Sequence, residues 1–195
     1  RRAADLITSF KQVAVDQTRD QRRRFDLCDV VRDTMATYAA QFKRTNCEME
    51  IDACDSLVMD SYPGSVGQVL SNLINNALLH AFEGQGAGRI TVRVHPVGDE
   101  QVLILFADNG VGMPARVMHQ VFDPFFTTKM GQGGTGLGMN IVYNIVTGML
   151  GGTVEVDSAP GKGTTVTIRV PKRAPDRSAA ASSDDATPTP APAYR

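Results

Sequence analysis

"NLINNALLHAF", residues 72–82, belongs to a stretch with strong helical periodicity. Pro63 suits the first turn of a helix, and apolar residues then recur at offsets of three and four, which predicts a core-facing helix over residues 63–81. The apolar stripe consists of Val66, Val69, Leu70, Leu73, Ile74, Ala77, Leu78 and Ala81. Within the quoted stretch, however, the polar residues are mostly asparagine, whose short amide competes for backbone hydrogen bonds and disfavours helix. The asparagines therefore call for an explanation other than helix propensity.

Asn72 and Asn76 are four residues apart, so they share one helix face, and His80 continues that line one turn later. An asparagine side chain offers a hard carbonyl oxygen together with an NH2 donor. This combination suits Mg²⁺ that is bound jointly with phosphate oxygens. Two asparagines taken alone fit turn capping or local backbone hydrogen bonds better, so the pair needs support from the rest of the chain.

Two apolar runs, "RITVRVHPV" and "QVLILFAD", flank turn residues and predict an antiparallel hairpin. The second run ends at Asp108 and breaks at Asn109, Gly110 and Gly112. A carboxylate at the end of a buried strand needs a donor. An adenine amine would provide one, and the glycines would let a flat ring approach the backbone. An ordinary Asp-Asn-Gly turn is the alternative.

The glycine-rich stretch "DPFFTTKMGQGGTGLGMNIV" formally contains GxGxxG at Gly131, Gly133 and Gly136. It does not follow an apolar strand, as a dinucleotide-binding fingerprint requires. The stretch is better interpreted as a flexible loop that leads into a helix beginning near Leu137. The N-terminus of such a helix favours phosphate, and Lys129 would add a positive charge.

The remaining segments divide the chain into three parts. Residues 1–24 carry a helical apolar stripe, and residues 28–43 predict a further helix. Short strands are expected at "FDL", "CEMEID" and "LVMD", a short helix at residues 115–121, and a final hairpin at "GTVEVDS" and "TTVTIRVP". Residues 172–195 contain no Ile, Leu, Val, Phe or Met, which predicts disorder. The compact domain is expected at residues 25–171.

The composition narrows the class of protein. The chain has 195 residues, 42% of them hydrophobic, and a net charge of −1, so nucleic acid and anionic membranes are not expected partners. No apolar run approaches the roughly 20 residues of a membrane span. The three cysteines, Cys28, Cys47 and Cys54, form no CxxC pair. We expect reduced structural cysteines and a cytoplasmic location, which leaves open an inner-membrane anchor in a longer parent protein.

The order of these segments resembles the ATP-binding catalytic domain of sensor histidine kinases, within the superfamily that includes type II topoisomerases and mismatch-repair ATPases. The resemblance covers about residues 25–171. The matching segments are "NLINNALLH" as the N box, "DNGVGM" as the first glycine box, "FDPFFTTK" as the F box, "GGTGLGM" as the second glycine box and "GKGTTV" as a third.

The resemblance implies a two-layer α/β sandwich of the Bergerat type, with a mixed sheet backed by helices, preceded in residues 1–24 by part of a dimerisation helix. It implies that Asn76 holds Mg²⁺, that Asn72 and His80 approach the phosphates, and that Asp108 binds the adenine amine. Gly134 to Gly138 would form a lid. The full set of implied ATP contacts is Asn72, Asn76, His80, Asp108, Gly110, Gly112, Met113, Lys129, Gly134, Thr135, Gly136, Leu137, Gly138 and Thr164.

The sequence favours phosphoryl transfer over hydrolysis. The related hydrolases carry a glutamate base where Asn72 stands, and asparagine accepts no proton at neutral pH. Transfer relies on positioning and charge neutralisation instead. The histidines, His80, His95 and His119, lie outside the expected phosphoacceptor context. We therefore expect a catalytic fragment that donates the γ-phosphate of ATP to a histidine of a dimerisation domain that this chain lacks.

Two alternative functions remain at this point: an anti-sigma-type protein-serine kinase, and a nucleotide-gated interaction module without catalysis. The expected partners are the dimerisation domain of the parent kinase and, through the full-length protein, a response regulator. Leu79 stands where many relatives have Lys or Arg, which makes Lys129 a candidate replacement for the missing charge.

Overall fold

The computed structural model describes residues 21–53, 55–83, 87–131 and 133–176. Its strands are β1 (Arg23–Asp26), β2 (Cys47–Ala53), β3 (Val58–Ser61), β4 (Gly88–Val97), β5 (Gln101–Asp108), β6 (Thr153–Ser158) and β7 (Thr164–Pro171). Its helices are α1 (Leu27–Thr37), α2 (Ala39–Arg44), α3 (Pro63–Asn76), α4 (Ala115–Met118) and α5 (Gly138–Asn144). Helix α3 continues as a π-helical turn at Ala77–Ala81, and α5 as another at Ile145–Met149.

The main sheet has the strand order β2-β4-β5-β7-β6. Strand β2 is parallel to β4, and the other neighbouring pairs are antiparallel, so the sheet is mixed, as predicted. Strands β1 and β3 form a separate antiparallel pair. Both predicted hairpins are confirmed, as β4–β5 and β6–β7.

One face of the main sheet is apolar because its strands alternate buried and exposed residues. The opposite face is charged: Arg89 of β4 pairs with Glu48 of β2 at 3.1 Å, and Arg93 pairs with Asp52 at 3.8 Å. The buried face consists of Ile90, Val92, Val94, Val102, Ile104, Phe106, Val154, Val156, Val166, Ile168 and Val170.

The helices cover the apolar face of the sheet, which confirms the α/β sandwich. Helix α3 begins with Pro63 at its first position, as predicted. Its stripe residues Leu70 and Ile74 are completely buried, and α3 packs against both α1 and α5. Helix α3 therefore lies beside α1 and α5 in the layer that covers the sheet, with its asparagines at the margin of the core.

The single helix predicted over residues 28–43 is wrong, because the chain forms two helices that meet at Tyr38. The Tyr38 N–H donates to the Met35 carbonyl at 3.1 Å, a tight closing turn that ends α1. Two threonine hydroxyls near this end, those of Thr34 and Thr37, bond back to backbone carbonyls at 2.7 and 2.6 Å. Such bonds compete with regular helix and accompany the break.

The packed chain extends past the predicted boundary at residue 171. The Lys172 carbonyl accepts from the Asp60 N–H at 2.8 Å, and the Ala174 N–H donates to the Asp60 carbonyl at 3.0 Å. Ala174 is only 2% exposed. The start of the tail predicted to be disordered is therefore ordered along β3, since residues 172–174, which have no large apolar side chain, still find backbone partners there.

Asp60 also binds the chain that enters the domain. The Arg22 guanidinium donates to both carboxylate oxygens of Asp60, each at 3.0 Å, and contacts Asp176 as well. The predicted dimerisation helix at residues 1–24 lies almost entirely outside the described residues, as does the predicted disorder beyond residue 176. What the structure provides is a junction at which both ends of the described chain meet β3.

The described part of the chain contains no helix with the length and apolar character of a membrane span. Cys28 and Cys47 are buried thiols, as the structural interpretation predicts. Burial raises the pKa of the Cys47 thiol to about 11, which disfavours the reactive thiolate.

Candidate functional site

A backbone contact joins the end of α3 to the turn after β5. The Val111 N–H donates to the Ala81 carbonyl at 2.8 Å, and a Cβ on Gly110 would lie only 2.3 Å from that same oxygen. Gly110 is therefore required by close backbone packing. A cavity opens between α3 and the glycine-rich loop, and Gly110 is buried against the end of α3 and does not line it. The prediction that Gly110 contacts the nucleotide is therefore not supported.

Gly112 is likewise explained by packing. It has a φ of +66°, and a Cβ at this position would lie 2.0 Å from the Ala159 carbonyl oxygen. This glycine allows a turn that closes on the β6–β7 connection. It also lines the cavity between α3 and the glycine-rich loop, so its contact with a flat ring stays a prediction. The neighbouring Met113 N–H donates to Ser158 Oγ at 2.8 Å, which fixes this turn.

Asp108 ends β5 with its carboxylate in the cavity. Its Oδ1 accepts from the Gly110 N–H at 2.9 Å. Burial raises the pKa of the Asp108 carboxyl above its ordinary 3.8, and backbone hydrogen bonds from Gly110 and Thr164 offset part of this shift. A carboxylate that is held at a cleft at a cost in desolvation is a candidate functional group.

A cavity of about 990 Å³ opens between α3, the ends of β5 and β7, and the glycine-rich loop. Every predicted contact residue except Gly110 lines it. These are Asn72, Asn76, His80, Asp108, Gly112, Met113, Lys129, Gly134, Thr135, Gly136, Leu137, Gly138 and Thr164. Four segments far apart in sequence are thus brought to one place.

The asparagines of α3 differ in their surroundings. The Asn75 Nδ2 donates to the Tyr38 hydroxyl at 3.1 Å, a structural role that links α3 to the end of α1. The Asn72 Nδ2 donates to the Gln68 carbonyl at 2.9 Å. The local backbone hydrogen bond that the alternative interpretation predicts is therefore present for Asn72. Asn75 instead bonds a distant side chain, and Asn76 lies against α5.

Gly138, the first residue of α5, faces these amides. A Cβ at Gly138 would lie 3.1 Å from Asn76 Oδ1 and 3.6 Å from Asn72 Oδ1. The missing side chain therefore lets the start of this helix, which extends through its π-turn to Met149, lie close to two hard amide oxygens at the cavity. Oxygen ligands and room for phosphate fit Mg²⁺, which keeps part of its coordination for substrate and water.

Among the described residues, no three His, Cys, Asp or Glu side chains cluster as metal ligands. An ion at Asn76 would therefore share its coordination with a ligand, as expected for Mg²⁺ carried with phosphates. The donor set fits this ion but does not form a separate all-protein metal cage.

The segment after α4 closes another side of the cavity. Thr128 Oγ1 lies 3.3 Å from His80 Nδ1, within hydrogen-bond distance. The Lys129 ammonium forms an ion pair with the Glu83 carboxylate at 2.8 Å. Burial, followed by the Lys129 charge, lowers the pKa of His80. Lys129 is predicted to contact phosphates, whereas in the structure its partner is the Glu83 carboxylate.

The glycine-rich loop packs on the segment that precedes it. Gly136 has a φ of +70°, and a Cβ there would lie 2.3 Å from the backbone carbon of Phe125. Phe125 itself has a φ of +66° and an exposed side chain, which is strained for a bulky residue. The loop and the F box therefore form one connected wall of the cavity.

The apolar part of the cavity lining was not predicted from the sequence. Val117 and Val121 were part of a predicted short helix, but their four-residue spacing was not connected with a site. Glu83 was also missed, since a lone acidic residue after a helix carries no signal for a distant lysine. The missed lining residues include Leu78, Glu83, Phe106, Val111, Val117, Val121, Phe126 and Thr128.

The fold and the cavity define a nucleotide-binding domain of the ATPase class. Residues 62–174 match the family described as "Histidine kinase-, DNA gyrase B-, and HSP90-like ATPase". The chain belongs to this family, and its domain is an ATP-binding catalytic domain of the histidine kinase type.

Relatives of known name agree with this assignment. The chain is 45% identical to the sensor histidine kinase ZraS of Klebsiella oxytoca over 109 residues, which cover 56% of this chain and 22% of ZraS. It is 35% identical to the sensor kinase CckA of Brucella abortus over 200 residues, which cover 92% of this chain and 20% of CckA. The chain thus spans about a fifth of these two relatives.

Solved structures share the fold. The catalytic domain of the histidine kinase ThkA, in a nucleotide-free form, superimposes with a TM-score of 0.69 at 25% identity, covering 78% of this chain and 97% of that domain. ThkA has also been solved in complex with the response regulator protein TrrA. At 19% identity, that second structure supports the fold alone.

The half-buried Asp108 carboxylate predicts a pH effect on stability. The pKa of the Asp108 carboxyl is raised in the folded state, so folding favours its protonated form. The stability that this preference contributes is fully present below the pKa of the unfolded state and is lost as pH rises through the pKa of the folded state. Asp108→Asn does not ionise. We therefore expect the unfolding free energy of the native chain, relative to Asp108→Asn, to fall as pH rises from below the ordinary aspartate pKa of about 4 through the raised pKa of the folded state.

Urea unfolding of both proteins at several pH values measures this difference. Asp157→Asn, on the exposed side of β6, controls for the loss of one negative charge. A difference between native chain and Asp108→Asn that stays constant with pH would contradict a desolvated carboxylate at the cavity.

Proposed function

We propose that this domain binds ATP with Mg²⁺ and donates the γ-phosphate to a histidine of a dimerisation domain in two-component signal transduction. The observation that carries the proposal is the convergence of Asp108, Asn76 and Gly138 on one cavity. A half-buried carboxylate, that of Asp108, lies at that cavity together with hard amide oxygens beside the start of a helix. This arrangement suits a ligand with a base at one end and phosphates at the other.

The adenine end of the site is assigned to Asp108. Its carboxylate accepts hydrogen bonds, and the exocyclic amine of adenine donates them, so the pair forms a charge-assisted bond. Met113 and the apolar residues Val117 and Val121 line the same cavity and offer contact area for the base. Thr164, whose backbone already donates to Asp108, helps to fix the carboxylate.

The phosphate end is assigned to Asn72, Asn76, His80, Lys129 and the loop from Gly134 to Gly138. Asn76 would hold Mg²⁺, which supplies neutralisation of the charge that develops on the phosphate oxygens. The backbone N–H groups at the start of α5 orient the phosphates. The lowered pKa of His80 favours a neutral imidazole that acts as a hydrogen-bonding group.

Transfer, not hydrolysis, follows from the side chains that surround the phosphates. Asn72 cannot serve as a general base for water, and the described lining contains one other carboxylate besides Asp108, that of Glu83. Glu83 is already paired with Lys129. In-line transfer to an incoming nucleophile needs mainly positioning and electrostatic neutralisation, which the asparagines and the loop provide.

The acceptor histidine is assigned to a separate dimerisation domain. His80 is part of the cavity wall, His95 lies on the charged outer face of β4, and His119 follows α4. None of these positions suits a phosphoacceptor on an upstream helix. By analogy with the ThkA–TrrA complex, a response regulator is the partner proposed for the full-length protein.

ATP binding is the first property to test. We expect calorimetry to detect Mg²⁺-dependent ATP binding by the native chain, and Asp108→Asn to weaken it about 10- to 100-fold, because a hydrogen bond to a charged acceptor is lost. Asp157→Asn should bind like the native chain. Native binding that Asp108→Asn leaves unchanged would contradict the placement of adenine, and no native binding would contradict the function.

The transfer step is tested with labelled ATP, Mg²⁺ and a dimerisation domain added in trans. We expect acid-labile phosphate on the added domain and none on this chain, since phosphohistidine hydrolyses in acid. Acid-stable phosphate would identify a serine kinase instead. ATP-dependent binding of the added domain without any transfer would favour an interaction module.

A further inference from the structure

The described lining of the cavity has two carboxylates but one ammonium group. Among the described lining residues, Lys129 is the only Lys or Arg, and the carboxylates are Glu83 and Asp108. His80 adds no fixed positive charge, since burial and Lys129 both lower its pKa. An anionic ligand that enters this cavity therefore depends strongly on one ammonium group.

That ammonium group is already engaged. Lys129 Nζ lies 2.8 Å from Glu83 Oε2, and the Lys129 side chain is only 15% exposed, whereas Glu83 is 69% exposed. The hydrogen bond with Lys129 and its positive charge lower the pKa of Glu83, so the glutamate is ionised at neutral pH. The pair connects the chain just after the π-turn of α3 to Lys129, the last residue of the F box.

A polyphosphate and Glu83 would compete for the same donor. An ammonium group has three N–H donors but only one charge, and the carboxylate that touches it repels phosphate oxygens brought equally close. The exposure of Glu83 limits the size of this effect, because solvent screens the pair. It also means that Glu83 can move into water without disturbing the core.

We propose that Glu83 sets the affinity of this site for polyphosphates by competing for the Lys129 ammonium, which the nucleotide takes over when it binds. Glu83 acts through Lys129 and is therefore a positioning residue that discriminates by ligand charge. This inference rests on the proposed function, since it assumes that the phosphates lie at the Lys129 end of the cavity.

The test compares ligands that differ only in phosphate content. We expect Glu83→Gln to bind ATP about two- to fivefold more tightly than the native chain, the range of an exposed ion pair. Adenosine, which has no phosphate, should bind both proteins equally. Glu155→Gln, which removes the same charge from an exposed position on β6, should leave the affinity for ATP unchanged.

A double-mutant cycle separates competition for Lys129 from a general charge effect. We expect Lys129→Gln to weaken ATP binding, and Glu83→Gln to have no further effect in that background. A tightening of equal size with and without Lys129 would overturn the inference, as would weaker ATP binding by Glu83→Gln or a matching change for adenosine.

The same titrations distinguish failure of this inference from failure of the proposed function. If the native chain binds ATP, Asp108→Asn loses it and Glu83→Gln matches the native chain, only the role of Glu83 is overturned. If the native chain binds no ATP in the presence of Mg²⁺, the proposed function fails, and this inference fails with it.

Discussion

The site depends on one backbone contact, the 2.8 Å hydrogen bond from the Val111 N–H to the Ala81 carbonyl. It attaches the last turn of the asparagine-bearing helix to the turn that follows Asp108. Only a glycine fits at residue 110, because a Cβ there would lie 2.3 Å from the same carbonyl oxygen. The π-helical turn at Ala77–Ala81 is the end of α3 that makes this contact, an example of helix irregularity at a functional position. This contact fixes the end of α3 against the turn after Asp108, and the shared hydrophobic core holds the rest of the helix to the sheet.

Two further close approaches, at Gly138 and at Gly163, complete the site. Gly138 lets the start of α5 lie against Asn72 and Asn76, while Gly163, with a φ of +73°, lies against the Asp108 carbonyl. Helix packing thus serves the site directly, since the same contacts that bury Leu70 and Ile74 present the asparagines at the margin of the core. The cost is a desolvated Asp108 carboxylate and a strained Phe125, features that a fold selected for stability alone would avoid.

Much of this arrangement is predictable from sequence because it depends on local patterns. The stripe that begins at Val66 predicts α3, and alternation predicts both hairpins. The order of the five motifs predicts the fold, and all but one of the contact residues that it implies line the cavity. The break at Tyr38 and the ordered residues 172–174 depend on tertiary partners that periodicity does not encode. The close backbone contacts of Gly110 and Gly112 are likewise tertiary and are not evident from the sequence. The Glu83–Lys129 pair joins residues far apart in the chain and required coordinates to be seen.

The central claim is that the divalent ion of the nucleotide is held at Asn76, beside Gly138. Mn²⁺, which shares the preference of Mg²⁺ for oxygen ligands, allows a direct test by NMR, because its unpaired electrons broaden nearby signals. We expect Mn²⁺ with ATP, compared with Mg²⁺ with ATP, to erase the signals of the Asn76 side-chain amide and the Gly138 backbone amide and to leave the backbone-amide signal of Glu155 intact. ATP binding that leaves both the Asn76 and the Gly138 signals unaffected would contradict the placement of the ion at Asn76.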